Sequence, residues 1–217
     1  MNRRSLPIAT ALTAAAALLL TACGGEEGKP KANDKIAGVD KGETASTPTT
    51  ATSSPAIERP EIKLPKDVTE TFEGWKTGDS TKDAILTDAS RAQSAVTYAV
   101  TQGNPDEPSL AFYQQGDALV GSLNWVKEIV DMGTTFTGSV RYYAPKIEVF
   151  DGKTAGVVYC SDESKAYNKD RKSGKVDESP ATSNSYVLYS TRLEKSDQGI
   201  WQTTKLISKR GSDGCTQ

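Results

Sequence analysis

Gly133 separates two regimes of apolar spacing, and that change of period constrains the fold more than any other feature of the chain. Upstream, Ile85, Ala89, Ala92, Val96 and Ala99 recur at helical spacing. Ser80-Thr81-Lys82-Asp83 opens this run as a capping box, and Gly103-Asn104-Pro105 ends it. A second helical stretch, from about Ser109 to Met132, carries Leu119, Leu123, Val126 and Val130 as one stripe, with Trp125 and Ile129 beside it. Glycine costs up to about 1 kcal/mol in a helix interior, so Gly116 predicts a break into a short helix and a longer one. Downstream of Gly133 the period is two. Phe136, Val140 and Tyr142 share one parity and Ile147 and Val149 the other, so a bulge or bend is expected at Ala144-Pro145. Asp151-Gly152 marks a hairpin leading into a strand over 153–160. Two further strands, 185–193 and 200–208, flank the turn Ser196-Asp197-Gln198-Gly199. Helices followed by an antiparallel meander make an α+β domain, with N-terminal helices packed on the sheet.

The N-terminus carries a different signal. Arg3 and Arg4 precede an Ala/Leu-rich run from Leu6 to Leu20, the layout of a secretory signal and too short for a comfortable membrane span. It closes with Leu20-Thr21-Ala22-Cys23, which resembles the lipobox of bacterial lipoproteins, whose cysteine receives a lipid before cleavage. The expectation is a signal peptide over 1–22, lipidation (diacylglyceryl, palmitate-type chains) at Cys23, and attachment to the extracytoplasmic face of the cell membrane. Two buried acyl chains give stable anchoring where one does not. Arg3-Arg4 also half-matches a twin-arginine signal, so the general and twin-arginine export routes both stay open. Residues 23–65 read as a disordered linker: Gly24 to Pro65 holds no aromatic and few large aliphatics, too little to offset its ordering entropy. Residues 66–217 then form a single domain, long enough to bury a substantial core. Removal of Arg3 and Arg4 with no acid takes the formal charge from -2 to -4, which argues against nucleic acid as a partner.

With Cys23 committed to lipid, Cys160 and Cys215 remain, and in an oxidising compartment the expectation is that they pair. No Cys-x-x-Cys spacing supports a redox role. The chain has no histidine, which removes Ser-His-Asp and Cys-His catalysis and histidine-based zinc sites. Neither a phosphate loop nor a calcium loop is present, so no metal and no cofactor is expected. Asp162 is the acid first examined for carboxylate chemistry, against the plainer reading of a solvated strand-end acid. The stretch from Ser161 to Thr182 reads as a long solvated hairpin pinned by Tyr167 and Val176. Its five bases between Lys165 and Lys175, against Asp170 alone, leave open a surface for an acidic polymer or protein. Ser94, Tyr98, Tyr113, Trp125, Tyr142, Tyr159 and Trp201 are candidates to line a pocket, and aromatics at such spacings equally build a core.

The order of elements resembles the nuclear-transport-factor-2-like (SnoaL-like) cone fold. Tyr159-Cys160-Ser161-Asp162-Glu163-Ser164-Lys165-Ala166-Tyr167 and Ser185-Tyr186-Val187-Leu188-Tyr189, with Gly199-Ile200-Trp201-Gln202-Thr203, are similar to stretches of a group of lipoproteins from high-GC Gram-positive (actinobacterial) bacteria. The resemblance implies a curved sheet wrapped around a long helix, with a pocket in its concave face. In enzymatic relatives such as ketosteroid isomerases an acid faces a tyrosine or second acid there, but no local motif of this chain matches that set. Non-catalytic binding domains also belong to the superfamily. Two functions follow as expectations: a non-catalytic domain binding a small hydrophobic ligand or a cell-envelope protein, or a small isomerase- or hydrolase-type enzyme using a carboxylate and a tyrosine.

Overall fold

The computed structural model describes residues 57–215. The signal peptide, the lipidation at Cys23 and most of the linker fall outside the described residues. The order of elements is β1 (Val68–Phe72), α1 (Ser80–Gln102), α2 (Pro108–Tyr113), α3 (Gly116–Asp131), β2 (Thr134–Val149), β3 (Thr154–Asp170), β4 (Val176–Asp177), β5 (Tyr186–Lys195) and β6 (Trp201–Arg210). The main sheet runs β1-β2-β3-β5-β6, with the short β4 on the far end of β3. It is an α+β fold in which the helices pack on a curved, unclosed sheet, the cone-like arrangement that the resemblance implied. Among the described residues all pairings between named strands are antiparallel except β1 with β2, so the sheet is mixed.

The helices begin and end as their local chemistry dictates. Asp79, one residue before the expected box, caps α1 by accepting from the Lys82 amide at 2.8 Å. Gly103 closes it in the left-handed conformation, returning its amide to Ala99 and Val100. The break expected near Gly116 separates α2 from α3. In β2 the register slips between Tyr143 and Lys146, the bend expected at Ala144-Pro145, and a second slip lies between Ser139 and Arg141. These irregularities raise the local twist and curve the sheet.

Two apolar clusters hold the helices to it. One joins Ile85, Leu86 and Ala89 of α1 to Trp75, Tyr142, Val157, Tyr159, Leu193 and Trp201. The other packs Ala92, Ala95, Ala99 and Val100 against Leu110, Tyr113, Val126 and Ile200. The alanines let the helices approach closely. Cys160 and Cys215 form a disulfide with Cα atoms 5.5 Å apart, tying the C-terminal turn to β3. The Tyr143 hydroxyl donates to the Cys215 carbonyl beside it.

Three features depart from the reading of the sequence. β1 was not expected as a strand: five residues bounded by polar neighbours carry little period signal, and their partner lies about 70 positions downstream in β2. β3 runs ten residues beyond its expected end, so the first half of the supposed hairpin loop after Cys160 is strand. Ser161 to Asp170 is polar because one side of it meets solvent, and its pairing with residues 134–142 is a tertiary event. The basic residues there are structural in part. Lys169 pairs with Asp67 at 2.8 Å, and the Arg171 guanidinium donates to the Val100 and Thr101 carbonyls at the end of α1. Finally, residues 57–65, placed in the linker by composition, lie against the body. Ile62 packs on the α1–α3 cluster, and Arg59 pairs with Asp88, which is buried and also accepts the Trp201 amide at 2.9 Å.

Candidate functional site

Between α1, α3 and the concave face of the sheet lies a cavity of about 810 Å³. Alternation along β2 turns Phe136, Val140 and Tyr142 into it, while Arg141 and Tyr143 stack on the opposite face. On α3, Ala118, Gly121, Ser122, Trp125 and Ile129 form its wall. The expected stripe of Leu119, Leu123, Val126 and Val130 packs instead into the helical cluster. Val96 and Thr97 of α1 and Val68 of β1 complete the apolar end.

Two carboxylates reach this space from different strands. Glu70 sits opposite Val140 in the parallel β1–β2 pair. Its oxygens accept from the Ser94 and Thr97 hydroxyls, each at 2.6 Å. Those donors lie three residues apart on α1 and therefore share a face. Burial pushes the Glu70 carboxyl above its ordinary range, and the two hydroxyl bonds only partly oppose it. Among the described residues no Lys or Arg forms an ion pair with it. Glu163 of β3 is differently held. It accepts from the Arg210 guanidinium at 2.7 Å, the Ser161 hydroxyl at 3.0 Å and the Tyr189 hydroxyl at 3.3 Å. Tyr142 is buried in the field of both acids, and burial first, then the Glu70 charge, drives its phenol well above the ordinary range. Tyr189 shifts upward from burial and from the adjacent Glu163. The site thus offers Glu70 held by neutral hydroxyls, Glu163 paired with Arg210, and the Tyr142 and Tyr189 phenols, which stay protonated.

Of the residues singled out from the sequence, the fold brings Trp125 and Tyr142 to this cavity, and Ser94 reaches Glu70. Tyr113, Tyr159 and Trp201 are buried in the two apolar clusters. Tyr98 is half-buried and outside the cavity lining. Asp162 faces the opposite side of the sheet, 3.4 Å from Arg141. Partial burial acts to raise its pKa, but bonds from Ser164 and the charge of Arg141 outweigh that, so its carboxyl lies below the ordinary range. Glu70 and Glu163 were not singled out. The signal for Glu70 was a lone acid in phase with Val68 and Phe72 on a strand that itself went unrecognised. Among the described residues no group of three or more His, Cys, Asp or Glu is placed to hold a metal ion, and no helix is long and apolar enough to cross a membrane.

No family model and no curated protein matches this chain. Solved structures do. A ketosteroid isomerase-like protein from Erwinia carotovora atroseptica is 15% identical, with a TM-score of 0.39, over 58% of this chain and 95% of that one. A putative scytalone dehydratase from Novosphingobium aromaticivorans is 13% identical, with a TM-score of 0.38, over 58% of this chain and 86% of that one. The intermembrane space region of the chloroplast protein ARC6 is 15% identical, with a TM-score of 0.41, over 62% and 99%.

Proposed function

We propose that this chain is a lipid-anchored extracytoplasmic protein whose domain binds a small amphipathic molecule in the concave cavity. The observation that carries this reading is the cavity itself. About 810 Å³, walled by Trp125, Ile129, Phe136 and Val140 and ending at Glu70, is the size and chemistry of a small-molecule site. The anchor rests on Leu20-Thr21-Ala22-Cys23, and the Cys160–Cys215 disulfide is in keeping with an oxidising compartment. A ligand from the membrane or the cell envelope is the partner this location offers. Native mass spectrometry of the full chain from cells that make it tests the reading. A bound small molecule that disappears in Gly121→Trp supports it, because Gly121 lines the cavity and has open space at its Cβ. An empty protein that takes up no amphipathic probe refutes it.

A second reading, an isomerase- or lyase-type enzyme, is favoured by Glu70. A partly buried carboxylate with a raised pKa near a protonated Tyr142 is the pairing that proton abstraction and return require. Turnover of a cavity ligand that stops in Glu70→Gln while binding persists would establish it. Binding without turnover would leave the first reading standing.

A further inference from the structure

We propose that the ligand is an organic cation: a protonated amine carried on an apolar body, its ammonium on Glu70. This rests on the cavity being a ligand site and names the class of molecule it selects. Glu70 is the reason. Its two oxygens receive only neutral hydroxyl donors, from Ser94 and Thr97, and no basic side chain among the described residues pairs with it. A partly buried carboxylate left without a counter-charge is stabilised by whatever cation enters. The rest of the lining points the same way. Among the described residues four carboxylates, Glu70, Asp117, Glu163 and Asp177, border the space, against one guanidinium, Arg210. That guanidinium is already engaged by Glu163 and by the Asn184 carbonyl at 3.2 Å. An anionic ligand would meet a negative field, and the one guanidinium among the described lining residues already carries Glu163 on its Nη1. A cationic one meets Glu70 together with the aromatic rings of Trp125, Phe136, Tyr142 and Tyr189, whose faces attract positive charge. Apolar contact with Val96, Ile129 and Val140 fixes the rest of the molecule without reading its charge.

The test uses three probes of one shape, phenylbutylamine, phenylbutanol and phenylbutyrate, titrated into the full chain while the indole N–H signal of Trp125 is followed by NMR. The amine should bind about tenfold or more tightly than the alcohol, the advantage of a charge-assisted hydrogen bond, and the carboxylate should bind most weakly. Glu70→Gln should bring the amine down to the alcohol, and Glu70→Asp should keep the amine's preference. Gly121→Trp should abolish all three. If phenylbutyrate binds as well as the amine, or if Glu70→Gln leaves the amine's advantage intact, the cation assignment is overturned while the cavity remains a ligand site. If no probe moves the Trp125 signal, the ligand-site reading falls and this one with it. The ranking in the unaltered protein decides the matter even if a Glu70 variant fails to fold.

Discussion

Replacing Arg59 by alanine should cost about 2–3 kcal/mol of stability, although the residue lies in a stretch whose composition reads as linker. Asp88 has a side chain 1% exposed, and Arg59, at 33%, is its only charged partner among the described residues. Breaking a fully buried ion pair by removing one member costs about 3–5 kcal/mol, because a charge is left behind. Here the penalty is smaller: water can reach where Arg59 stood, and Asp88 keeps the Trp201 amide at 2.9 Å. The Arg59 guanidinium also lies 5.9 Å from the centre of the Tyr113 ring, a contact worth about 0.5 kcal/mol. For a domain of this size the sum should lower the thermal midpoint by about 5–10 °C. Asp88→Asn should cost less, about 1 kcal/mol, since the amide oxygen can still accept from Trp201 and Arg59 can turn to solvent. Urea unfolding of both single variants and the double variant measures all three numbers in one cycle. If Arg59→Ala lies within 0.5 kcal/mol of the parent, or if the two changes simply add, residues 57–65 are not held to the body by this pair and the reasoning fails.

Four other outcomes are expected. The raised pKa of Glu70 means its stabilising effect is fully present below the ordinary glutamate range and is lost as pH rises through its folded value. The stability of Glu70→Gln relative to the parent should therefore grow from acid to neutral pH, and a constant difference in urea titrations would contradict the burial of that acid. Removing the Cys160–Cys215 bond, which spans 55 positions, should cost up to about 4 kcal/mol; mass spectrometry under non-reducing conditions should find the parent two hydrogens lighter than its reduced form. Gly138→Ala should destabilise by about 3 kcal/mol or more, because Gly138 has φ +96° and its Cβ would lie 2.1 Å from the Lys165 carbonyl oxygen. Gly121→Ala on exposed α3 should gain about 0.5–1 kcal/mol, and equal effects at the two glycines in thermal melts would show the β2 irregularity to be dispensable.

What the sequence determined by itself was whatever depends on neighbours along the chain. α1 up to Gly103, the break near Gly116, the change to alternation after Gly133 and the bend at Ala144-Pro145 are local choices of propensity and turn chemistry, and each stood in the structure. The pairing of Cys160 with Cys215 was legible because only two cysteines remained after Cys23. What tertiary structure decided was everything that rests on distant partners. β1 is a strand because β2 pairs with it, the polar half of β3 is a strand because β2 and β4 lie on either side, and Arg59 belongs to the body because Asp88 is buried beneath it. The cavity was decided there too. Trp125 and Tyr142 were named from the sequence, but Glu70 was not, because a lone glutamate between threonines is ordinary surface chemistry until β1 docks beside β2 and α1 lays Ser94 and Thr97 across it. Burial is what turns that side chain into a site, and burial is a property of the assembled fold rather than of the local sequence.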